Sequence, residues 1–198
     1  MNTQTPPVNA VRRRIFWISL AGLIVVFDQV SKWAMTEVIF RPYLNLPAQG
    51  FMDWYANTPE RLDFLSIPIT SFFNLVMVWN TGVSFGMLGD HGASAPFILI
   101  GFASIITLIF LVWMMRVSDH LNGICFALIV GGALGNIIDR ARFGAVIDFL
   151  DFHAFGYHWP AFNVADMCVV LGVFFLVFLT ITFELRTKDR YSNSSSEK

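Results

Sequence analysis

The chain has 198 residues, 56% of them hydrophobic and 14% charged, with a mean hydropathy of +0.61 and a formal net charge of -1. Soluble domains are roughly 45–50% apolar and about 25% charged, so this chain has too little polar surface to cover itself in water, and its near-neutral charge offers no general attraction for nucleic acid. Cys125 and Cys168 lie in apolar runs without ligand-like spacing, which argues for small buried hydrophobes over a metal centre or a disulfide framework.

Four stretches approach the roughly 20 apolar residues that a helix needs to cross a bilayer. Residues 15–35, 96–115, 121–138 and 167–183 are therefore expected to span, the last two nearly upright because they are short. Arg12, Arg13 and Arg14 precede an apolar run that resembles the core of a secretory signal, but no small-x-small cleavage site follows, and the run continues into Asp28-Gln29-Val30-Ser31-Lys32-Trp33. Basic residues accumulate on the cytoplasmic side of membrane proteins. With the N-terminus inside, the inner flanks hold Arg12, Arg13, Arg14, Arg116, Arg186, Lys188, Arg190 and Lys198, against Arg41, Arg61, Arg140 and Arg142 outside. The expected layout is one integral membrane domain: a cytoplasmic tail at 1–14, extracytoplasmic segments at 36–95 and 139–166, and a second cytoplasmic tail at 184–198. Within the first long outer segment, β-branched and aromatic residues at 72–85 suggest extended structure.

Charges inside spans are costly and point to function. Asp28 lies 13 residues beyond Ile15, roughly 20 Å along a helix. Asp139 ends the third span, Asp166 begins the fourth, and Asp148 sits on the loop between them, so four carboxyls share the outer stratum. Asp28 and Lys32, four apart, suit an intrahelical ion pair with a structural role. Asn136-Ile137-Ile138-Asp139 and Asn163-Val164-Ala165-Asp166 each place an amide beside a carboxyl on one helix face. The second also reads as a helix N-terminal capping box after Pro160. The first sets an acidic residue against the helix dipole, with Arg140 expected as its neutralising partner. Gly131-Gly132-Ala133-Leu134-Gly135 has the small-residue spacing of close helix packing.

Two neighbouring carboxyls in low dielectric keep one proton between them and so hold an acid and a base ready for hydrolysis by water. Asp139 is a poor member of such a pair, because Arg140 and Arg142 would hold it ionised. Asp148 has apolar flanks, and Asp151 has similar surroundings and stays open as an alternative. Gly82-Val83-Ser84-Phe85-Gly86 fits the nucleophile-elbow pattern formally, with His91, His153 and His158 on the same side, but the motif needs a strand-to-helix turn. His153 and His158 with Asp148 and Asp151 are a weaker candidate for a metal site.

The motifs taken together resemble those of bacterial lipoprotein signal peptidase, or signal peptidase II: Asp28-Gln29-Val30-Ser31-Lys32, Asn80-Thr81-Gly82-Val83-Ser84-Phe85-Gly86, residues 131–140, Val146-Ile147-Asp148-Phe149 and Phe162-Asn163-Val164-Ala165-Asp166, in family order over most of residues 15–185. The resemblance implies an all-α membrane protein of four transmembrane helices with a small extracytoplasmic β-rich cradle and a short helix. It implies an aspartyl endopeptidase of the bacterial inner membrane that cuts diacylglyceryl-modified prolipoproteins before the lipidated cysteine. The catalytic dyad carries over to Asp148 and Asp166, with Asn80, Asn136, Asp139, Arg140, Asn163, Asp28 and Lys32 lining or supporting the site. No cofactor and no metal are implied, nor any nucleic acid partner; the partners are lipidated prolipoproteins and membrane lipid, and the chain is expected to be a monomer. Residues 42–68 look longer than the family's usual first-loop connection, and Ser84 stands where the family carries a small apolar residue. A proton-coupled transporter is the alternative from another class, but it calls for polar residues reaching both faces, and here the acidic residues gather outside.

Overall fold

The computed structural model describes residues 8–82 and 95–196. Its long helices are α1 (Val8–Trp33), α4 (Ala95–Arg116), α5 (His120–Phe143) and α6 (Val164–Ser196). Between α1 and α4 lie a π-helical segment (Ala34–Phe40), the short helices α2 (Arg41–Tyr43) and α3 (Phe51–Ala56), and strands β1 (Leu65–Thr70) and β2 (Phe73–Asn80). Strands β3 (Val146–Ala154) and β4 (Tyr157–His158) connect α5 to α6.

Three helices among the described residues are long and apolar enough to cross a membrane: Phe97–Arg116, His120–Phe143 and Val164–Arg186. α4 and α6 turn most of their apolar surface outward, with Phe97, Phe102, Ile105, Val170 and Phe174 all exposed. A helix that is apolar all round and unburied by protein suits a hydrocarbon solvent. α5 is the central helix, packed against α1, α4 and α6. Its glycines make this possible. A methyl group at Gly131 would meet the Ala21 carbonyl and Ile24 of α1, and one at Gly132 would strike the Ala165 carbonyl of α6, so the small-residue stretch lets both backbones approach α5.

α1 continues without a break into the π-helical segment, beyond the expected limit of residue 35, where Glu37 pairs with Arg41 at 3.0 Å and its second oxygen accepts the Gln49 N–H at 2.8 Å. Residues 42–68 hold the end of α2, α3 and the start of β1. Phe40 of the π-helical segment and Trp54 and Leu62 from residues 42–68 join Met77 of β2, Phe143 of α5 and Ile147 and Phe149 of β3 in one buried cluster. Arg142 seals it, with its guanidinium stacked 4.3 Å from the Trp54 ring centre and 4.6 Å from that of Tyr55 while donating to the Trp54 carbonyl at 2.6 Å. Burying these apolar groups ties this segment to the end of α5, and thus to the part of the chain that carries the site.

The four strands form an antiparallel sheet in chain order. The extended stretch expected at 72–85 is β2, paired on its far side with β1; residues 83–85, together with Gly86 and His91, lie outside the described residues. Gly144, in the left-handed region at φ 69°, stops α5 by donating its N–H to the Arg140 carbonyl at 2.9 Å. Glycine takes this conformation without a Cβ penalty, and the chain reverses at once into β3, which brings Asp148 back over the end of the helix that carries Asn136 and Asp139.

Gly135→Ala should disturb this arrangement. The new methyl would collide with the Asp28 carboxylate, and overpacking of a close contact costs about 1–3 kcal/mol. A lower unfolding temperature in detergent is the expected result, and a wild-type value would contradict the packing described here.

Candidate active site

Asp148 lies on β3, 1% exposed, opposite Val78 of β2. Its Oδ1 accepts from Asn163 Nδ2 at 2.7 Å and its Oδ2 from Asn80 Nδ2 at 2.9 Å. Asn80 is in turn fixed by accepting the Gly82 N–H at 2.8 Å. Asp166, in the first turn of α6, accepts from Asn136 Nδ2 at 2.7 Å and from the Asn163 N–H at 3.2 Å, while its own N–H donates to Asn163 Oδ1 at 3.0 Å. Asn163 and Asp166 thus form the reciprocal capping box, and the same Asn163 side chain also reaches Asp148, Asn136 Oδ1 at 3.2 Å and the Ile147 carbonyl at 3.2 Å. Capping and site assembly are one arrangement: the residue that starts α6 joins both aspartates.

Burial first and the nearby negative charge of Asp166 second push the Asp148 carboxyl up to about 7, against the opposing hydrogen bonds from Asn80 and Asn163 and the charge of Lys32. Near neutrality this carboxyl is therefore divided between acid and base forms. A cleft of about 520 Å³ opens onto it, walled by Trp79, Asn80, Thr81, Pro160 and Ala161.

Beneath the two carboxyls lies a charge cluster. Lys32 Nζ is 2.7 Å from both Asp28 Oδ2 and Asp139 Oδ2, and all three side chains are fully buried. Gln29 donates to Asp139 Oδ1 at 2.8 Å, Ala165 N–H to Asp28 Oδ1 at 3.1 Å, and Ile147 N–H to Asp139 Oδ2 at 3.2 Å. The carboxylates therefore hold α1, α5, β3 and α6 together. Lys32 also donates to Asn136 Oδ1 at 3.3 Å, which connects the cluster to the amide that holds Asp166. The Asp28–Lys32 pair occurs as the four-residue spacing suggests.

One expectation is corrected. Asp139 is neutralised by Lys32 across the helix interface and not by Arg140, because adjacent residues on a helix point about 100° apart; Arg140 instead donates to the Asn136 carbonyl at 3.3 Å. Asp151, open in the sequence as an alternative to Asp148, lies on the same strand. It is buried on β3, accepts from Asn74 Nδ2 at 2.8 Å and pairs with His158 Nδ1 at 2.8 Å. Its partners are disjoint from those of Asp148. His153 and His158 stack with ring centres 4.7 Å apart, and among the described residues no group of three or more His, Cys, Asp or Glu could hold a metal ion. Gln29 and Asn74 were not singled out from sequence; Gln29 could have been, as a polar amide beside Asp28 inside an apolar helix. Ser84, the serine of the nucleophile-elbow pattern, lies outside the described residues.

Asp151→Asn should keep the Asn74 hydrogen bond and lose a pair with a half-exposed histidine, a contribution of about 0–1 kcal/mol. Cleavage of substrate within a few-fold of wild type, with a small drop in unfolding temperature, is expected. An inactive but fully stable variant would transfer the role of Asp148 to Asp151.

Apolar helices with a polar cleft at one end describe a multi-pass membrane enzyme, and comparison with known proteins specifies its kind. Residues 20–182 match the family model described as signal peptidase (SPase) II. The lipoprotein signal peptidase of Ralstonia nicotianae is 46% identical over 163 residues, 81% of each chain. That of Francisella tularensis subsp. novicida is 43% identical over 138 residues, 68% of this chain and 84% of its own, and that of Cupriavidus necator 39% over 165 residues, 82% and 81%. Two solved structures of bacterial membrane enzymes superpose with TM-scores of 0.56 and 0.55 at 29% and 30% identity, covering 87% and 84% of this chain and 91% and 92% of theirs. The chain belongs to the signal peptidase II family. It is a protease and a multi-pass protein of the bacterial inner membrane.

Proposed function

We propose that the chain is an aspartyl endopeptidase in which Asp148 and Asp166 share one proton, and that it cuts the signal peptide from diacylglyceryl-modified prolipoproteins just before the lipidated cysteine. Removal of signal peptides from prolipoproteins is the activity that the family carries. The observation that supports the dyad is the single amide of Asn163, which donates to Asp148 Oδ1 at 2.7 Å while its backbone N–H and side-chain carbonyl engage Asp166.

In this mechanism the ionised member of the pair takes a proton from a water molecule as it attacks the scissile carbonyl, and the protonated member donates to that carbonyl oxygen. The tetrahedral intermediate then collapses as the proton taken from water is delivered to the leaving nitrogen and a hydroxyl of the intermediate returns a proton to the other aspartate, which restores the shared-proton pair. No covalent enzyme intermediate forms. Asn80, Asn136 and Asn163 orient the carboxyls, Arg140 fixes the last turn of α5, and Asp28, Lys32 and Asp139 hold the helix ends at their spacing.

Four spans with both termini in the cytoplasm complete the reading. α1 is the fourth span, and its acceptance in lipid follows from the pairing of Asp28 and Lys32 with Asp139, which leaves no isolated charge in that stretch. The start of α1 lies beside the α4–α5 turn, where Arg13 donates to the Ser118 carbonyl and Phe16 and Trp17 meet the His120 ring. The aspartates occupy the opposite, outer end. The enzyme acts as a monomer.

The test is incubation of the purified protein with a lipidated prolipoprotein and with the same precursor lacking lipid, followed by mass analysis of the products. One cut directly before the modified cysteine, in the lipidated precursor, is expected. Equal cutting of the unmodified precursor, or a cut elsewhere, would overturn the assignment of substrate.

A further inference from the structure

We propose that the tip of the β3–β4 hairpin, led by Phe155, is embedded in the boundary between lipid and water, so that the strands lie along the membrane surface. The inference rests on the long helices crossing a membrane and not on the aspartate pair. The hairpin closes with a two-residue turn, since Ala154 pairs with Tyr157 and only Phe155 and Gly156 lie between them. Both have positive φ, 52° at Phe155 and 79° at Gly156. Such turns favour Asn-Gly or Gly-Gly, and a bulky residue in this region is an outlier that the surrounding structure has to hold. Phe155 is also fully exposed, at 109%. Neither its backbone conformation nor water favours a phenylalanine here, which points to a surface outside the folded chain.

The neighbours share its character. The β1–β2 turn ends at the same edge of the sheet, where the Phe72 carbonyl accepts the His153 N–H at 2.9 Å. Phe72, Tyr157 and Trp159 are all well exposed, and residues 152–162 contain no Asp, Glu, Lys or Arg. A row of rings leads from there towards the helices: Phe73 packs on Phe152 with centres 4.8 Å apart, and Phe152 stacks on Phe162 at 5.9 Å. Phe162 stands two residues before α6, whose first turns expose Met167 and Val170. The tip is thus continuous with a surface that faces hydrocarbon. Phenylalanine beside tyrosine and tryptophan, without formal charge, is the composition of membrane interface belts, where rings meet acyl chains and the phenol and indole meet water.

Dimensions fix the tilt. Asp166 and Arg186, at the two ends of the apolar part of α6, are 20 residues apart, roughly 30 Å along the helix. That is the thickness of the hydrocarbon core, so the start of α6 lies at its edge. Leu150 pairs with Phe162 just before that start, and Phe155 is five residues farther along the hairpin, roughly 16 Å on an extended strand. The headgroup region is only about 5–8 Å deep on each side. Strands rising straight from the membrane would carry Phe155 past it into water, whereas strands lying along the surface keep the ring within it.

The experiment uses the full-length protein carrying Cys125→Ala, Cys168→Ala and Tyr157→Cys, with one environment-sensitive fluorophore on the new thiol, in vesicles of phosphatidylethanolamine and phosphatidylglycerol. The probe should lose most of its emission when lipid bearing a nitroxide near the top of its acyl chain is included, and little when iodide is added to the water. Adding Phe155→Ser and Phe72→Ser should reverse the two responses. Both rings are exposed, so the unfolding temperature in detergent should stay within about 3 °C of the parent, which shows that the variant is folded. If Tyr157→Cys does not fold, the label goes on Phe72→Cys and Phe155→Ser is compared alone. Free access of iodide in the parent, or responses unaltered by the serine substitutions, overturns the proposal. Shielding from both quenchers does so too, since the tip is then covered by protein, either a second copy or another chain.

Discussion

Asp148→Asn and Asp166→Asn should each lower cleavage of a lipidated prolipoprotein by at least a hundredfold while leaving the protein folded. A general acid or base contributes about 10²–10⁴-fold, and asparagine keeps the size of aspartate but cannot take up or give a proton near neutrality. The hydrogen bonds sharpen the expectation. Both oxygens of Asp148 accept from amide donors, and Asp166 accepts through both of its oxygens as well. In either variant one oxygen becomes an NH₂ group facing another donor, a loss of about 1–3 kcal/mol. Removing a buried carboxyl from its partner's field offsets part of that cost. Thermal unfolding in the same detergent should therefore fall only modestly. Turnover above about a tenth of wild type in either variant would exclude that residue from the acid-base pair that the mechanism requires.

Lys32→Met should act on stability first. The ammonium lies 2.7 Å from each of two fully buried carboxylates, and methionine fills a similar volume without the charge. Deleting one member of a buried ionic group costs about 3–5 kcal/mol, because the remaining charges stay desolvated and uncompensated. Here two like charges are left facing each other beneath the site. The expected outcome is a poorly accumulating protein with a much lower unfolding temperature. Lys32→Met combined with Asp139→Asn should recover part of the loss, since it removes one of the stranded charges. A single variant as stable as wild type would mean that the cluster contributes little to holding α1, α5 and α6 together.

What was legible in the sequence followed from local pattern. The runs at 96–115 and 121–138 lie within α4 and α5, and the capping box at Asn163 and Asp166 forms as its spacing suggests, because helix geometry depends on near neighbours. The run at 15–35 marks the first helix but misses its ends: it begins at Val8 and passes through Lys32 and Glu37 into the π-helical segment. Those charges interrupt the apolar pattern, yet each finds a partner in the folded chain. α6 likewise continues past residue 183 to Ser196, since polar residues extend a helix beyond the apolar stretch that marks it.

Pairings between distant segments were not legible. Arg140 is the nearest basic residue to Asp139 along the chain, but the helix turns it aside, and Lys32, more than a hundred residues earlier, arrives through the contact of α1 with α5. Asp151 looked equivalent to Asp148 because both have apolar neighbours. Strand pairing distinguishes them, by setting Asn74 opposite Asp151 and Asn80 near Asp148. β1 was hidden in a segment rich in proline, and only its pairing with β2 makes it a strand.

The central claim is a proton shared between two carboxyls, and the dependence of kcat/KM on pH, which reports the free enzyme's essential groups, tests it most directly. With the Asp148 carboxyl raised to about 7, the shared proton is present below that pH and lost above it, so activity should fall along an alkaline limb near pH 7. The hydrogen bond from Asn80 lowers the Asp148 carboxyl, so Asn80→Ala should move that limb to higher pH. A profile that stays flat to pH 9, or an identical limb in Asn80→Ala, would contradict the account.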